Sequence, residues 1–195
     1  MIAFVRGKFI HRSPAQLYVD VNGVGYDLQI SLNTFSSVQN LSEGQLFTYL
    51  HITENAHTLY GFFSLEEKEL FLQLISVSGV GATTARVMLS GLKPEEIVRA
   101  IVQGNTKLLE SVKGIGRKTA ERLHIELRDK LGKIPVETSG QFQAPGTTVE
   151  KDALQALIAL GIGKPMAEKA IKKVFDSDKE ILSLEEIIKQ ALKNL

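Results

Sequence analysis

The chain has 195 residues, 44% apolar and 23% charged, with 23 Lys and Arg against 22 Asp and Glu. That composition can bury a core, and it excludes a uniformly basic coat. A nucleic-acid surface has to be a local patch balanced by acid elsewhere. The chain has no cysteine, which excludes disulfide scaffolds, thiolate zinc sites and thiol catalysis.

The N-terminal residues carry a charge by Arg6 and lack a signal-peptide core. No apolar run approaches the roughly 18 residues of a membrane span. A cytoplasmic protein with no membrane partner is expected.

Residues 1–63 read as β structure. Strands are expected from Ile2 to about Ile10 and over 17–21, 26–30, 46–50 and 59–63, with Asn22-Gly23 as a hairpin turn. Five short strands in about 60 residues point to a small barrel, with the OB-fold as the leading architecture. At Ser64 the period changes. Ser64-Leu65-Glu66-Glu67 reads as a capping box, and Leu70, Phe71, Leu74 and Ile75 follow at helical spacing. Short helices are expected from there through 132. Pro94-Glu95-Glu96 makes one first turn, with acids at the positive dipole end. Residues 133–148, rich in Pro, Gly, Ser, Thr and Gln, read as a flexible linker. Residues 149–195 read as three helices, with capping boxes at Thr147-x-x-Glu150 and Ser183-x-x-Glu186. The fold class is α+β multidomain: an OB-fold barrel, a tandem helical domain, a linker and a three-helix bundle.

The helical domain contains a repeat. Val77-Ser78-Gly79-Val80-Gly81-Ala82-Thr83-Thr84-Ala85 and Val112-Lys113-Gly114-Ile115-Gly116-Arg117-Lys118-Thr119-Ala120 share one pattern at a spacing of 35. Between two helices, the glycines permit a sharp bend with positive φ, and Val80 or Ile115 can tuck into the helix pair. The N–H groups after the second glycine open a helix and lack internal partners, so with the helix dipole they can cradle a phosphate. This is the helix-hairpin-helix pattern, which grips a DNA backbone without reading its sequence. The candidate DNA-binding residues are Gly79, Val80, Gly81, Thr83 and Thr84 in the first copy, and Gly114, Ile115, Gly116, Arg117, Lys118 and Arg122 in the second. Over 113–133 there are seven bases and three acids, so the second copy is expected to carry more electrostatic affinity. The first has only Arg86 nearby.

Nucleotide and metal motifs fail. Gly114-Ile115-Gly116-Arg117-Lys118-Thr119 departs from a P-loop, since residue 111 is Ser and Gly116 is not followed directly by Lys. Gly161-Ile162-Gly163-Lys164-Pro165 lacks the Ser/Thr and the earlier Gly. His11, His51, His57 and His124 are scattered without metal-ligand spacing, so no metal site, cofactor or ATP hydrolysis by the chain alone is expected. His124 reads equally well as a phosphate contact or as a partly buried helix residue.

The order of segments resembles the RuvA family, the Holliday-junction-binding subunits of the RuvAB branch-migration complex. The residues that carry the resemblance are Gly23-Val24-Gly25-Tyr26, Thr58-Leu59-Tyr60-Gly61-Phe62, both glycine pairs, Arg117 to Leu123, and Ala156-Leu157-Ile158-Ala159-Leu160-Gly161. The resemblance implies a homotetramer, sometimes paired face to face as an octamer, that holds a four-way DNA junction open and nearly planar. It implies a RuvB hexamer as the ATPase partner, RuvC as the resolvase, and a tail that recruits RuvB through Leu157, Leu160 and Ile162. It also implies an acidic pin of two carboxylates in the turn before the last strand, and here that turn holds Glu54 and Asn55, one carboxylate and one amide. The tail places aliphatic Ile162 where many relatives have an aromatic residue. Two other readings stay open from the residues themselves: a structure-specific nuclease or glycosylase anchored by the hairpins, and an adaptor whose helices pack only on proteins.

Overall fold

The computed structural model describes residues 1–132, 146–177 and 183–194. The chain divides into two compact units, Met1–Val136 and Glu137–Leu195.

The first unit opens with five strands: β1 (Phe4–Ser13), β2 (Gln16–Val21), β3 (Val24–Ile30), β4 (Glu43–Ile52) and β5 (His57–Phe62). They close into a barrel in the order β1-β2-β3-β5-β4, with β3 and β5 parallel and the other pairs antiparallel. This is the OB-type barrel that the strand count implies. Alternating inward residues, among them Val5, Phe9, Leu17, Val19, Leu28 and Leu46, fill its core.

A single strand serves two neighbours. β1 pairs with β4 through residues 4–8 and with β2 through residues 8–13. Gly7 sits where this strand turns the corner. A Cβ there would lie 2.0 Å from the backbone oxygen of Asp20, which only backbone movement could relieve. Gly7→Ala is therefore expected to cost about 1–3 kcal/mol, the usual range for overpacking, measured as a lower urea midpoint.

The barrel also contains a helix that strand patterning does not reveal. α1 (Leu32–Val38) lies between β3 and β4, capped by Ser31, whose Oγ accepts from the Thr34 N–H at 3.0 Å. Its sequence, Leu-Asn-Thr-Phe-Ser-Ser-Val, spans only seven residues and is rich in residues that favour caps and turns over helix interiors.

Five helices follow: α2 (Leu65–Ile75), α3 (Ala82–Gly91), α4 (Pro94–Gln103), α5 (Thr106–Glu110) and α6 (Arg117–Leu131). Phe71, Leu74, Met88, Leu89, Ile101 and Leu123 form the centre of their core. Tyr60 and Phe62 of β5 belong to the same cluster, with Phe71 5.1 Å and 4.9 Å from them between ring centroids. The barrel and the hairpin domain thus share one apolar seam.

Polar bonds reinforce that seam. Ser64 caps α2 as expected, accepting from the Glu67 N–H at 3.2 Å. Glu67 does not complete the expected capping box. Its side chain is buried and turns away to the barrel, accepting from the Ser31 hydroxyl at one oxygen and from Thr34 Oγ1 at 2.6 Å at the other. Thr34 Oγ1 in turn accepts from the Phe63 N–H. Asn33 Nδ2 donates to the Leu89 and Leu92 carbonyls at the far end of α3.

The second unit is a three-helix module of α7 (Gly146–Ala159), α8 (Lys164–Ser177) and α9 (Leu184–Lys193). Ala153, Leu157, Ala170, Ile171, Val174 and Ile187 build its core. α7 begins at Gly146, so the last three residues read as linker are helical, and Thr147 stands inside the helix and not at its cap. The remaining linker residues, 133–145, lie outside the described residues. The box at Ser183 is complete, with Ser183 N–H and Oγ donating to Glu186 and Glu186 N–H returning to Ser183 Oγ. The Ser183 backbone bond, then its hydroxyl, hold the Glu186 carboxyl below its ordinary pKa. A carboxylate lowered in this way stabilises α9 above the unfolded Glu pKa, and the support is lost as pH falls through the lowered value.

Among the described residues, no helix is long and apolar enough to cross a membrane.

Candidate nucleic-acid interface

The two repeats form two matching bends, residues 76–81 between α2 and α3 and residues 111–116 between α5 and α6. Their backbones agree in detail. Gly79 and Gly114 both take φ +96, a left-handed conformation that a side chain would strain. Val80 N–H bonds the Val77 carbonyl and Ile115 N–H bonds the Val112 carbonyl, each at 3.0 Å. Positive φ falls only on the first glycine of each pair. Gly81 and Gly116 are extended N-caps, at φ −82 and −91.

Val80 and Ile115 are buried in the helical core. They anchor the bends, so their side chains face inward and only their backbone is offered outward. Gly79, Gly81, Gly114 and Gly116 are exposed, and a Cβ at Gly81 or Gly116 would meet nothing within 4 Å. Another molecule can therefore approach that backbone closely.

Glycine caps set these two helices apart; α4 also lacks a side-chain bond from its N-cap, Lys93, whose N–H is taken by Glu96. Side chains cap α1, α2, α5 and α9, through Ser31, Ser64, Asn105 and Ser183. α3 and α6 begin on glycine, with no side-chain cap bond. Their first N–H groups are left for an outside acceptor, which is the composition of an anion site.

The bends also face each other. A Cβ at Gly79 would lie 3.6 Å from Thr119 Oγ1, and one at Gly114 would lie 3.6 Å from the Thr84 Cγ2 methyl. Thr84 and Thr119 are the same repeat position, 35 residues apart. Each helix start thus packs on the other repeat's bend, a local twofold relation that sets both cradles side by side.

The charged residues divide less evenly than the sequence suggests. Lys118 and Lys113 are exposed, and neither makes a hydrogen bond or ion pair among the described residues. Arg117 donates from Nε to Glu121 at 2.9 Å, and this bond, then the glutamate's charge, raises its pKa above the usual value. Arg86 is not a cation of the first cradle. Its Nη1 donates to the Ala15 carbonyl and to Gln29 Oε1, tying α3 to the barrel. Beside it, Thr83 opens on a polar cleft of about 360 Å³ that also includes Asp27, Gln29, His57 and Thr58. Arg122 crosses to the first bend, donating to the Ser78 carbonyl at 3.1 Å. His124 is half-buried with Nδ1 2.6 Å from the Ile101 carbonyl, so the helix-residue reading holds.

Glu54 and Asn55 sit exposed at the tip of the β4–β5 turn, which is closed by the Thr53 N–H bond to the Ala56 carbonyl. In the second unit Leu157 is fully buried, so its side chain fills the bundle and offers no docking surface. Leu160 is 63% exposed, and Ile162 packs partly against the core. Sequence reasoning did not single out the other exposed apolar residues here, Ile158, Met166, Phe175, Leu184 and Leu192, which only helix packing separates from the core positions.

Three family models match in chain order. The RuvA N terminal domain covers residues 1–61, a SAM-like helix-hairpin-helix tandem covers 71–129, and the RuvA C-terminal domain covers 148–195. Full-length relatives agree. A protein of Cytophaga hutchinsonii named Holliday junction branch migration complex subunit RuvA is 44% identical, over 99% of both chains. Proteins of the same name from Amoebophilus asiaticus and Flavobacterium psychrophilum are 45% and 43% identical, the first over 99% of this chain and all of its own, the second over the whole of both. With the barrel, the paired bends and the three-helix tail in the same order, the chain belongs to the RuvA family.

Proposed function

We propose that the chain binds four-way junction DNA as a homotetramer, holds the junction open, and loads a RuvB hexamer that supplies ATP-driven branch migration in recombination and repair. The observation that carries this reading is the pair of glycine-capped helix starts set side by side. Two cradles at fixed spacing suit two phosphates of one duplex arm, and neither requires a particular base. The chain itself is the non-catalytic DNA-binding subunit of the complex and works in the cytoplasm, with RuvC resolving the junction.

The remaining parts take their roles from this frame. Four copies of the β4–β5 turn around a fourfold axis bring four Glu54 carboxylates near the crossing strands, where they repel phosphates and disfavour ordinary duplex. Asn55 in place of a second carboxylate halves that charge. In the tail, Leu160 and Ile162 contribute to the surface that meets RuvB.

Native mass of the protein with and without a synthetic four-way junction tests the assembly. Four or eight copies per junction support it, and one copy per junction overturns it. Cleavage of the junction on addition of Mg²⁺ would instead favour the nuclease reading.

Lys118 is one of the exposed cations at the second cradle, with Lys113 and Arg117. In a tetramer Lys118→Ala removes one phosphate contact per subunit, so it is expected to weaken junction binding about fivefold per subunit across all sequences and to reduce the salt slope of log K by about 4. Anisotropy titrations over a range of salt concentrations measure both.

A further inference from the structure

We propose that Arg122 is a positioning residue that fixes the first bend to the second hairpin, rather than a phosphate contact. The inference rests on the DNA-binding reading of the bends and assigns one of its residues a different role.

The repeat is not symmetric at this position. Arg122 corresponds, 35 residues earlier, to Val87, which packs against the core. Only the second repeat therefore sends a long polar side chain across to the other. The Arg122 guanidinium is occupied at two points. Nη1 donates to the Ser78 carbonyl at 3.1 Å, and Nε lies 3.5 Å from Glu126 Oε1. Glu126 offsets its charge, while the bond to Ser78 holds the residue just before Gly79. That carbonyl belongs to the bend with the fewest cations of its own.

The reciprocal Thr84 and Thr119 contacts set how the two helix starts pack. They leave the outer rim of the first bend, Ser78, without a restraint of that kind. Arg122 supplies it. A planar fork holding a carbonyl at one nitrogen and a carboxylate at another fixes direction as well as distance, which a lysine ammonium does less well. Holding Ser78 keeps the two cradles at the separation that lets both engage one backbone together, so ordering of the bend does not have to accompany binding.

The test compares the full-length wild type with Arg122→Ala, Arg122→Lys and Lys118→Ala. Junction affinity is measured against salt concentration, and amide hydrogen exchange is measured in the free protein. For Arg122→Ala the proposal expects a five- to tenfold loss of affinity with an unchanged salt slope, whereas Lys118→Ala loses about four units of slope, one per subunit. Arg122→Lys recovers only part of the affinity. In the free protein, Arg122→Ala speeds exchange at the Val80 amide of the first bend and leaves the matching Ile115 amide unchanged. A slope reduced by about 4, one unit per subunit, with full recovery in Arg122→Lys, would make Arg122 a phosphate contact and overturn the proposal. Unchanged affinity, or equal loss of protection in both bends, overturns it too. If Arg122→Ala does not fold, Arg122→Lys carries the test: reduced affinity at wild-type slope, with faster exchange at Val80 alone, supports the proposal, and wild-type behaviour overturns it. Failure of the wild type itself to bind DNA would remove the proposed function, and the exchange measurement would still judge the restraint.

Discussion

Replacing Gly81 and Gly116 together by aspartate is expected to lower junction affinity at least about 100-fold while leaving the fold as stable as before or slightly more so. Both residues are N-caps in the extended region that aspartate favours, and a Cβ at either meets nothing within 4 Å. Aspartate and glycine differ by only a few tenths of a kcal/mol at such a cap, so the helices lose nothing. The new carboxylate accepts from the N–H groups that a phosphate would otherwise use, and it adds like charge where the phosphate should sit. Loss of about 1.4 kcal/mol at each cradle multiplies to a factor of about 100 for the two cradles of one subunit alone, and the other subunits of the assembly add to it. Anisotropy with a labelled junction, paired with urea unfolding, measures the two effects separately. A purely architectural role for the bends predicts unchanged binding.

The second large effect concerns Glu67. Glu67→Ala is expected to destabilise the first unit by about 3–5 kcal/mol, since each hydrogen bond to a charged group contributes about 1.5–3 kcal/mol and the truncation leaves two buried hydroxyls without acceptors. Ser31 is also the cap of α1, and Thr34 also receives the Phe63 N–H, so the damage spreads to the helix that connects β3 to β4 and to the end of β5. Glu67→Gln keeps the volume but turns an NH₂ group toward a hydroxyl that needs an acceptor, and it is expected to recover less than half of the loss. Urea midpoints of the three proteins check this. Equal stability of all three would show that the seam between barrel and hairpins does not depend on the Glu67 bonds.

Much of this molecule is legible in its sequence because its signals are local or periodic. Alternation located the five strands, and a 35-residue repeat with two glycines located both bends, although which glycine of each pair takes positive φ, Gly79 and Gly114, is seen only in the structure. α1 escaped because seven residues dominated by Ser, Thr and Asn show no helical period. Glu67 was misread for a different reason. Ser64-x-x-Glu67 satisfies the capping-box pattern, but the same carboxyl found two hydroxyl donors on the barrel more than thirty residues away in sequence. Arg86 and Arg122 are likewise long side chains near a cradle in sequence, and their ends reach Ala15, Gln29 and Ser78, partners set by tertiary packing. In the tail, helical spacing marks Leu157 and Leu160 alike as apolar, and only the packing of α7 against α8 and α9 buries one and exposes the other.

The central claim is that the paired bends, with the β4–β5 turn, select a four-way junction through its backbone. It is tested most directly by competition, with a labelled four-way junction displaced by unlabelled linear duplex of equal length and arm sequence at several salt concentrations. The account predicts that the junction binds at least about tenfold more tightly than the duplex and that both affinities fall steeply with salt, as counterion release requires. Equal affinity for the two, or binding that ignores salt, would contradict it.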